Sequence, residues 1–115
     1  LTGYFRGRVD FDPNAGIQRD TAFSGSDAFV LKLNSSGNYL WCNQIGGWLT
    51  EIGLDIIADT NNNVYVTGLF EDSTDFDPTS SQNIKLAVGG SDIFLQKFSS
   101  SGTSQWVKTF GSTGS

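Results

Sequence analysis

The sequence predicts an all-β chain of β-propeller-like tandem blades, each of four antiparallel strands, with about 1.8 blades in 115 residues. Three observations carry this. Gly, Ser, Thr and Asn make up 46 of the 115 residues, and aromatic residues add 13 %. A helical bundle needs Ala, Leu, Glu and Lys instead, and a disordered chain lacks Phe, Trp and Tyr at regular intervals. Second, the chain matches itself without a gap when shifted by 65 residues: residues 2–46 fall on 67–111 with 18 identities in 45 positions. Third, the strands are apolar on both faces. Ile93 and Leu95 point one way, Phe94 and Phe98 the other. A sheet with a wet face alternates more cleanly, whereas sheets stacked face to face around an axis bury both sides.

The elements follow in order along the second unit. "LDIIA" (54–58), between Gly53 and Asp59, is a short buried strand. "DTNNN" is an Asp/Asn turn able to hold positive φ. "VYVTGLF" (64–70) is β-branched and aromatic, hence a strand. Residues 71–90 form a long excursion, mostly loop because of Pro78 and its Ser/Thr cluster, with "IKLAV" as a short extra strand. "DIFLQKF" (92–98), the turn "SSSG" and "SQWVKTF" (104–110) complete four strands in hairpin order. The first unit repeats all of this except the stretch corresponding to 51–65, so it lacks its opening strand. The expected organisation is a partial blade over 1–48, lacking its innermost strand, a complete blade over 49–112, and the start of a linker at 113–115. This reads as a window on a longer tandem array.

The strings "IIADTNNNVYVTG" and "GGSDIFLQKFSSSG", followed by a Trp and a trailing Gly, resemble the SBBP-type β-propeller repeat of bacterial and archaeal secreted or surface proteins. The resemblance covers nearly the whole chain. It implies that "LDIIA" is innermost and "QWVKT" outermost, that the "DFDP" excursion joins the second and third strands, and that the location is extracellular or cell-surface. Asn62 stands where the family often has Gly, and Ser24 where the second unit has Gly89.

Chemistry is restricted from the outset. There is no His, so a His-based triad cannot form within the chain. Cys42 aligns with Val107 and reads as a small hydrophobe; a single Cys forms no internal disulfide. The net charge of −5, with seven scattered basic residues, argues against nucleic acid. No apolar run approaches the roughly 20 residues of a membrane span. The recurrent pair Asp10/Asp12 and Asp75/Asp77 admits two readings: carboxylates that cap their own loops, or ligands of a cation such as calcium. Catalysis by such a pair would be expected once, not twice. "DTNNN" matches the opening of a calcium loop, but Val64 and Phe70 stand where that loop needs Gly and Glu. Asp27 and Asp92, each after Gly-Ser at the start of the third strand, read as turn residues first and as cation ligands second. Trp41 and Trp106 read as packing between blades, while Trp48, which does not recur, is either packing or a sugar-stacking ligand contact.

The resulting expectation is a non-enzymatic extracellular scaffold or adhesin-like module. Its partners would be neighbouring blades or identical chains, with a protein or carbohydrate ligand. The alternatives are a blade of a glycan-acting propeller enzyme, or a subunit that assembles with its own copies into a ring or filament.

Overall fold

A computed structural model describes residues 1–13, 19–22, 25–47, 49–77 and 83–111. It is all-β. Among these residues nine strands run as β1 (Thr2–Phe5), β2 (Arg8–Asp10), β3 (Arg19–Thr21), β4 (Asp27–Leu33), β5 (Tyr39–Gly47), β6 (Glu51–Ala58), β7 (Val64–Asp75), β8 (Ile84–Phe98) and β9 (Ser104–Phe110). All named strand pairs are antiparallel. β6, β7, β8 and β9 pair in sequential order as a four-stranded blade, and β1, β4 and β5 form a three-stranded one.

The sequence repeat is also a repeat of hydrogen-bond register. Adding 65 to each β1–β4 partner pair gives a β7–β8 pair: Thr2↔Val30 becomes Thr67↔Leu95, and Phe5↔Asp27 becomes Phe70↔Asp92. The β4–β5 ladder maps onto β8–β9 in the same way, with Ala28↔Ile45 becoming Ile93↔Phe110. Even the bulge recurs, after Lys32 in one blade and after Lys97 in the other. The Thr2 and Thr67 hydroxyls both donate across the sheet, to the carbonyls of Phe29 and Phe94, each at 2.8 Å.

The β6–β7 turn follows the expected chemistry. In the β6–β7 turn, Asn62 has φ 65°, the left-handed conformation that Asn tolerates. The Asp59 carboxylate accepts bonds from the amides of Asn61 and Asn63 at 2.9 and 3.0 Å and from the Tyr65 hydroxyl at 3.2 Å. Partial desolvation works to raise the Asp59 pKa, but these bonds together hold it below the ordinary carboxylate value.

The excursion differs from expectation. β7 continues to Asp75 and β8 starts at Ile84, so Ser73↔Leu86, Thr74↔Lys85 and Asp75↔Ile84 extend the hairpin as an arm. The register breaks between Glu71 and Ser73, where Asp72 has φ 55°. Gly7, the equivalent residue of the first unit, has φ 67°. The corresponding arm there is the β2–β3 ladder, Arg8↔Thr21 to Asp10↔Arg19. Loop-forming residues at the tip masked the pairing at its base. The second arm also joins the blades, because Gly46 and Gly47 at the end of β5 pair with Asp75 and Thr74.

The main core lies between the blades. Ala28, Val30 and Ile45 of the first pack against Val64, Val66, Phe70, Phe76, Phe94 and Phe98 of the second. Phe76, from the "DFDP" loop, stacks edge-on to Phe70 with centroids 5.2 Å apart. A second cluster of Phe5, Phe11 and Leu31, with Phe29, Leu33 and Cys42 around it, covers the opposite face of the first blade. Phe5, Phe11 and Phe29 are the counterparts of Phe70, Phe76 and Phe94, so each blade builds the same aromatic face.

Candidate functional site

The two blades meet face to face across a buried core. The first blade presents two alternating rows, Ala28, Val30 and Lys32 on β4 and Trp41, Asn43 and Ile45 on β5. Ala28, Val30 and Ile45 are fully buried. The three longer polar side chains close the rim by donating to the β8–β9 turn of the second blade. Lys32 Nζ and the Trp41 indole N–H both donate to the Ser100 carbonyl at 3.0 Å, and Asn43 Nδ2 donates to the Gly102 carbonyl at 2.6 Å. Trp41 also stacks on Phe98, centroids 6.0 Å apart. Gly102 has φ 91°, and a Cβ there would lie 2.7 Å from the Trp41 ring, so only glycine suits this turn.

The second blade presents the same rows, and among the described residues no other sheet packs against them: Ile93, Leu95 and Lys97 on β8, and Trp106, Lys108 and Phe110 on β9. Ile93 is 49 % exposed and Phe110 53 % exposed, where their counterparts Ala28 and Ile45 are at 0 %. Lys97 Nζ lies 5.4 Å from the centre of the Tyr65 ring, and Trp106 stacks on Tyr65 at 6.2 Å.

Buried carboxylates mark the junction of the blades. Asp27 is fully buried and accepts a bond from Gln44 Nε2 at 2.6 Å. Its carboxylate occupies the space that a Cβ on Gly46 would need, and Asp92 stands in the same relation to Gly111. Asp92 also accepts the Val88 amide at 2.8 Å. Asp27 opens β4, but Asp92 lies inside β8, paired with Phe70, because β8 begins earlier at Ile84 than the turn reading expects. Glu51, at the start of β6, was not foreseen. It is fully buried and accepts the Thr74 hydroxyl at 2.8 Å. Burial pushes its pKa up to about 7, the Thr74 bond opposes this, and the Asp27 carboxylate reinforces it. The signal was present in the repeat: Thr74 replaces Val9, a polar residue on an otherwise apolar face.

The recurrent acidic loops are built as caps. Asp10 Oδ1 accepts the Asp12 amide at 3.0 Å. Asp75 Oδ1 accepts the amides of Asp77 and Asn83, both at 3.0 Å. Each pair therefore turns back on its own backbone. Among the described residues, no group of three or more His, Cys, Asp or Glu gathers as a metal site. Trp48 lies outside the described residues. Cys42 is half-buried beside the Phe5 cluster, in keeping with its alignment to Val107. A groove of about 240 Å³ opens between the blades, lined by Val30, Leu33, Trp41, Ile56, Ile57 and Val64. Its walls are largely apolar and it brings together no acid–base pair.

No family model matches the chain, and no solved structure matches it. It is similar to an uncharacterized WD repeat-containing protein of Acanthamoeba polyphaga mimivirus, 31 % identical over a 137-residue alignment. That match takes in 99 % of this chain and 10 % of the relative, so the chain spans about a tenth of the relative's length. With the all-β blades, it supports a propeller-type repeat; the narrower SBBP assignment rests on the sequence resemblance alone.

Proposed function

We propose that this chain is a propeller-type interaction module with no catalytic role, working as a scaffold that presents blade faces and loops to other macromolecules. The observation that supports this most directly is where the recurring residues go. Asp10 and Asp75 cap loops, Asp27 and Asp92 bond within the blades, and Trp41 and Phe76 hold blades together. The residues with chemical potential are thus committed to architecture. A similarity to a WD repeat-containing protein agrees with a repeat scaffold, although fold alone does not assign function. A protein or carbohydrate partner and an extracellular or cell-surface setting belong to the same proposal, and both follow from the resemblance to secreted repeat proteins.

The test is a paired assay on the 115-residue chain with a panel of purified polysaccharides and surface proteins. Saturable binding without release of reducing ends or unsaturated products is expected. Turnover that disappears in Glu51→Gln, or in Asp55→Asn at the one carboxylate of the "LDIIA" strand, would refute the scaffold reading in favour of a glycan-acting enzyme.

A further inference from the structure

Resting on the scaffold reading, we infer that the outer edge of β8 over residues 84–88, on the arm of the second blade, docks an extended segment of a partner protein, which adds to it as a further strand. The edge has free backbone groups at the right spacing. β9 pairs with β8 only from Ile93 to Phe98, so among the described residues no strand lies outside 84–88. The Phe76 amide donates to the Asn83 carbonyl at 2.9 Å, which makes these two a hydrogen-bonded pair. Antiparallel pairs alternate, so Thr74 and Lys85 bond each other, while the N–H and C=O of Ile84 and Leu86 point away from β7. The Val88 amide ends this row, because the Asp92 carboxylate accepts it at 2.8 Å. The side chains follow the same spacing. Ile84, Leu86 and Val88 are exposed, whereas Ala87, between two of them, packs against the main core.

The repeat shows that neighbouring blades leave this face and this edge open. Arg8 and Asp10 are the counterparts of Ser73 and Asp75, across the ladder from the positions of Leu86 and Ile84. Both are exposed although the second blade follows them, and β2 and β3 remain a two-stranded sheet. Ile84 and Leu86 are exposed although the first blade precedes them. The fold does not demand apolar residues here either, since the first unit has Arg19, Asp20 and Thr21 where the second has Ile84, Lys85 and Leu86. Charged residues are the usual protection of an open edge, and the second arm has given them up. A polypeptide strand is the occupant that meets both features: it supplies N–H and C=O groups at every second residue and apolar side chains on the same face. A sugar chain offers no such ladder. Strand addition from outside is also already in use on this arm, because Gly46 and Gly47 of the first blade pair with Asp75 and Thr74 on its opposite edge. The chain is acidic, and Asp75 and Asp77 lie beside this edge, so a segment with basic residues flanking its apolar positions suits it.

The test is an NMR titration of the isotope-labelled 115-residue chain with a synthetic peptide of alternating valine and threonine, closed by a lysine at each end. Saturable binding is expected, with the Ile84 and Leu86 amides shifting and gaining protection from exchange. Two variants keep the fold and change the edge. Leu86→Pro removes an outward N–H and leaves the β7 ladder intact, as an edge strand allows. Ile84→Arg combined with Leu86→Thr restores the residues of the first unit. Each is expected to melt cooperatively and to bind at least about 10-fold more weakly, the worth of one buried apolar side chain. The same peptide with its central amides N-methylated keeps its side chains but loses its donors, and is expected not to bind. Equal binding by the methylated peptide, or by Leu86→Pro, would overturn the inference, since no strand would then be forming. No binding to the folded wild type at about 1 mM, beyond the Kd of useful recognition, would also overturn it; the scaffold reading would stand as long as the chain still binds members of the polysaccharide and protein panel without turnover. A concentration-dependent dimer of the wild type that both variants abolish would make a second copy the occupant, and would overturn it too.

Discussion

Replacing Glu51 by Gln should make the protein more stable at neutral and alkaline pH and leave it unchanged in mild acid. In the folded chain the Glu51 pKa moves from 4.5 to about 7, chiefly because the carboxyl is buried, with Asp27 and Glu71 repelling its charge. A raised carboxyl pKa means that the folded state holds the proton more tightly than the unfolded chain. The stabilisation is complete below about pH 4.5 and is lost as pH rises through about 7. At about 1.4 kcal/mol per pH unit, that difference has a ceiling of about 3 kcal/mol. The neighbouring Leu49 is 48 % exposed, so water screens part of the effect, and about 2 kcal/mol is the expected gain at pH 8. Glutamine keeps an acceptor for the Thr74 hydroxyl and places an amide donor in the field of Asp27 instead of a second negative charge. For a domain of this size the gain corresponds to about 8 °C in Tm. Calorimetric melts of both proteins from pH 4.5 to 8.5 measure it, and the difference between the two curves isolates this group from the other carboxylates. Parallel pH curves would show that Glu51 titrates as an ordinary carboxylate and that the junction is wet.

Further expectations concern the glycine contacts, the loop caps and the strained turns. Gly46→Ala should cost roughly 2–4 kcal/mol in denaturant melts, because the new methyl displaces the buried Asp27 carboxylate; Gly111→Ala, at the end of β9, should cost less. Asp75→Ala should cost about 2 kcal/mol through loss of two amide bonds. If those bonds are the whole role of the acidic loops, a chelator shifts Tm by less than about 1 °C, equivalent to a few tenths of a kcal/mol; a larger fall would establish calcium there. Asn62→Val should destabilise by about 1–2 kcal/mol, whereas Asp72→Gly, which copies Gly7, should be neutral or stabilising.

The blades were legible because strand register and turn chemistry obey local rules. Thr2 and Thr67, Gly37 and Gly102, Trp41 and Trp106 sit at equivalent places in sheet, turn and outer strand, and a 65-residue shift of the sequence exposes them together. The 84–86 half of the arm reads as a short strand, but its partner 73–75 was hidden because turn-formers at the tip outweigh a three-pair ladder at its base. Glu51 was hidden because its burial depends on Thr74, 23 residues away, and on the approach of Gly47. The reading of β6 as starting at Leu54 stopped short of it, since Glu51 carries no apolar signal. The exposure of Ile93 and Phe110 could not be read from an apolar pattern, which marks a face for burial without naming its cover.

The shared core between the blades has a consequence for synthesis. Ile45 is made well before Phe98, the last aromatic residue that covers it, which follows 53 positions later. At about 5–20 residues per second, the first blade waits roughly 3–10 s on the ribosome with Ala28, Val30 and Ile45 uncovered. Rare codons placed between the two blades would lengthen that interval and its demand for chaperones, so translation speed through residues 50–98 is a lever on yield that leaves the finished protein untouched.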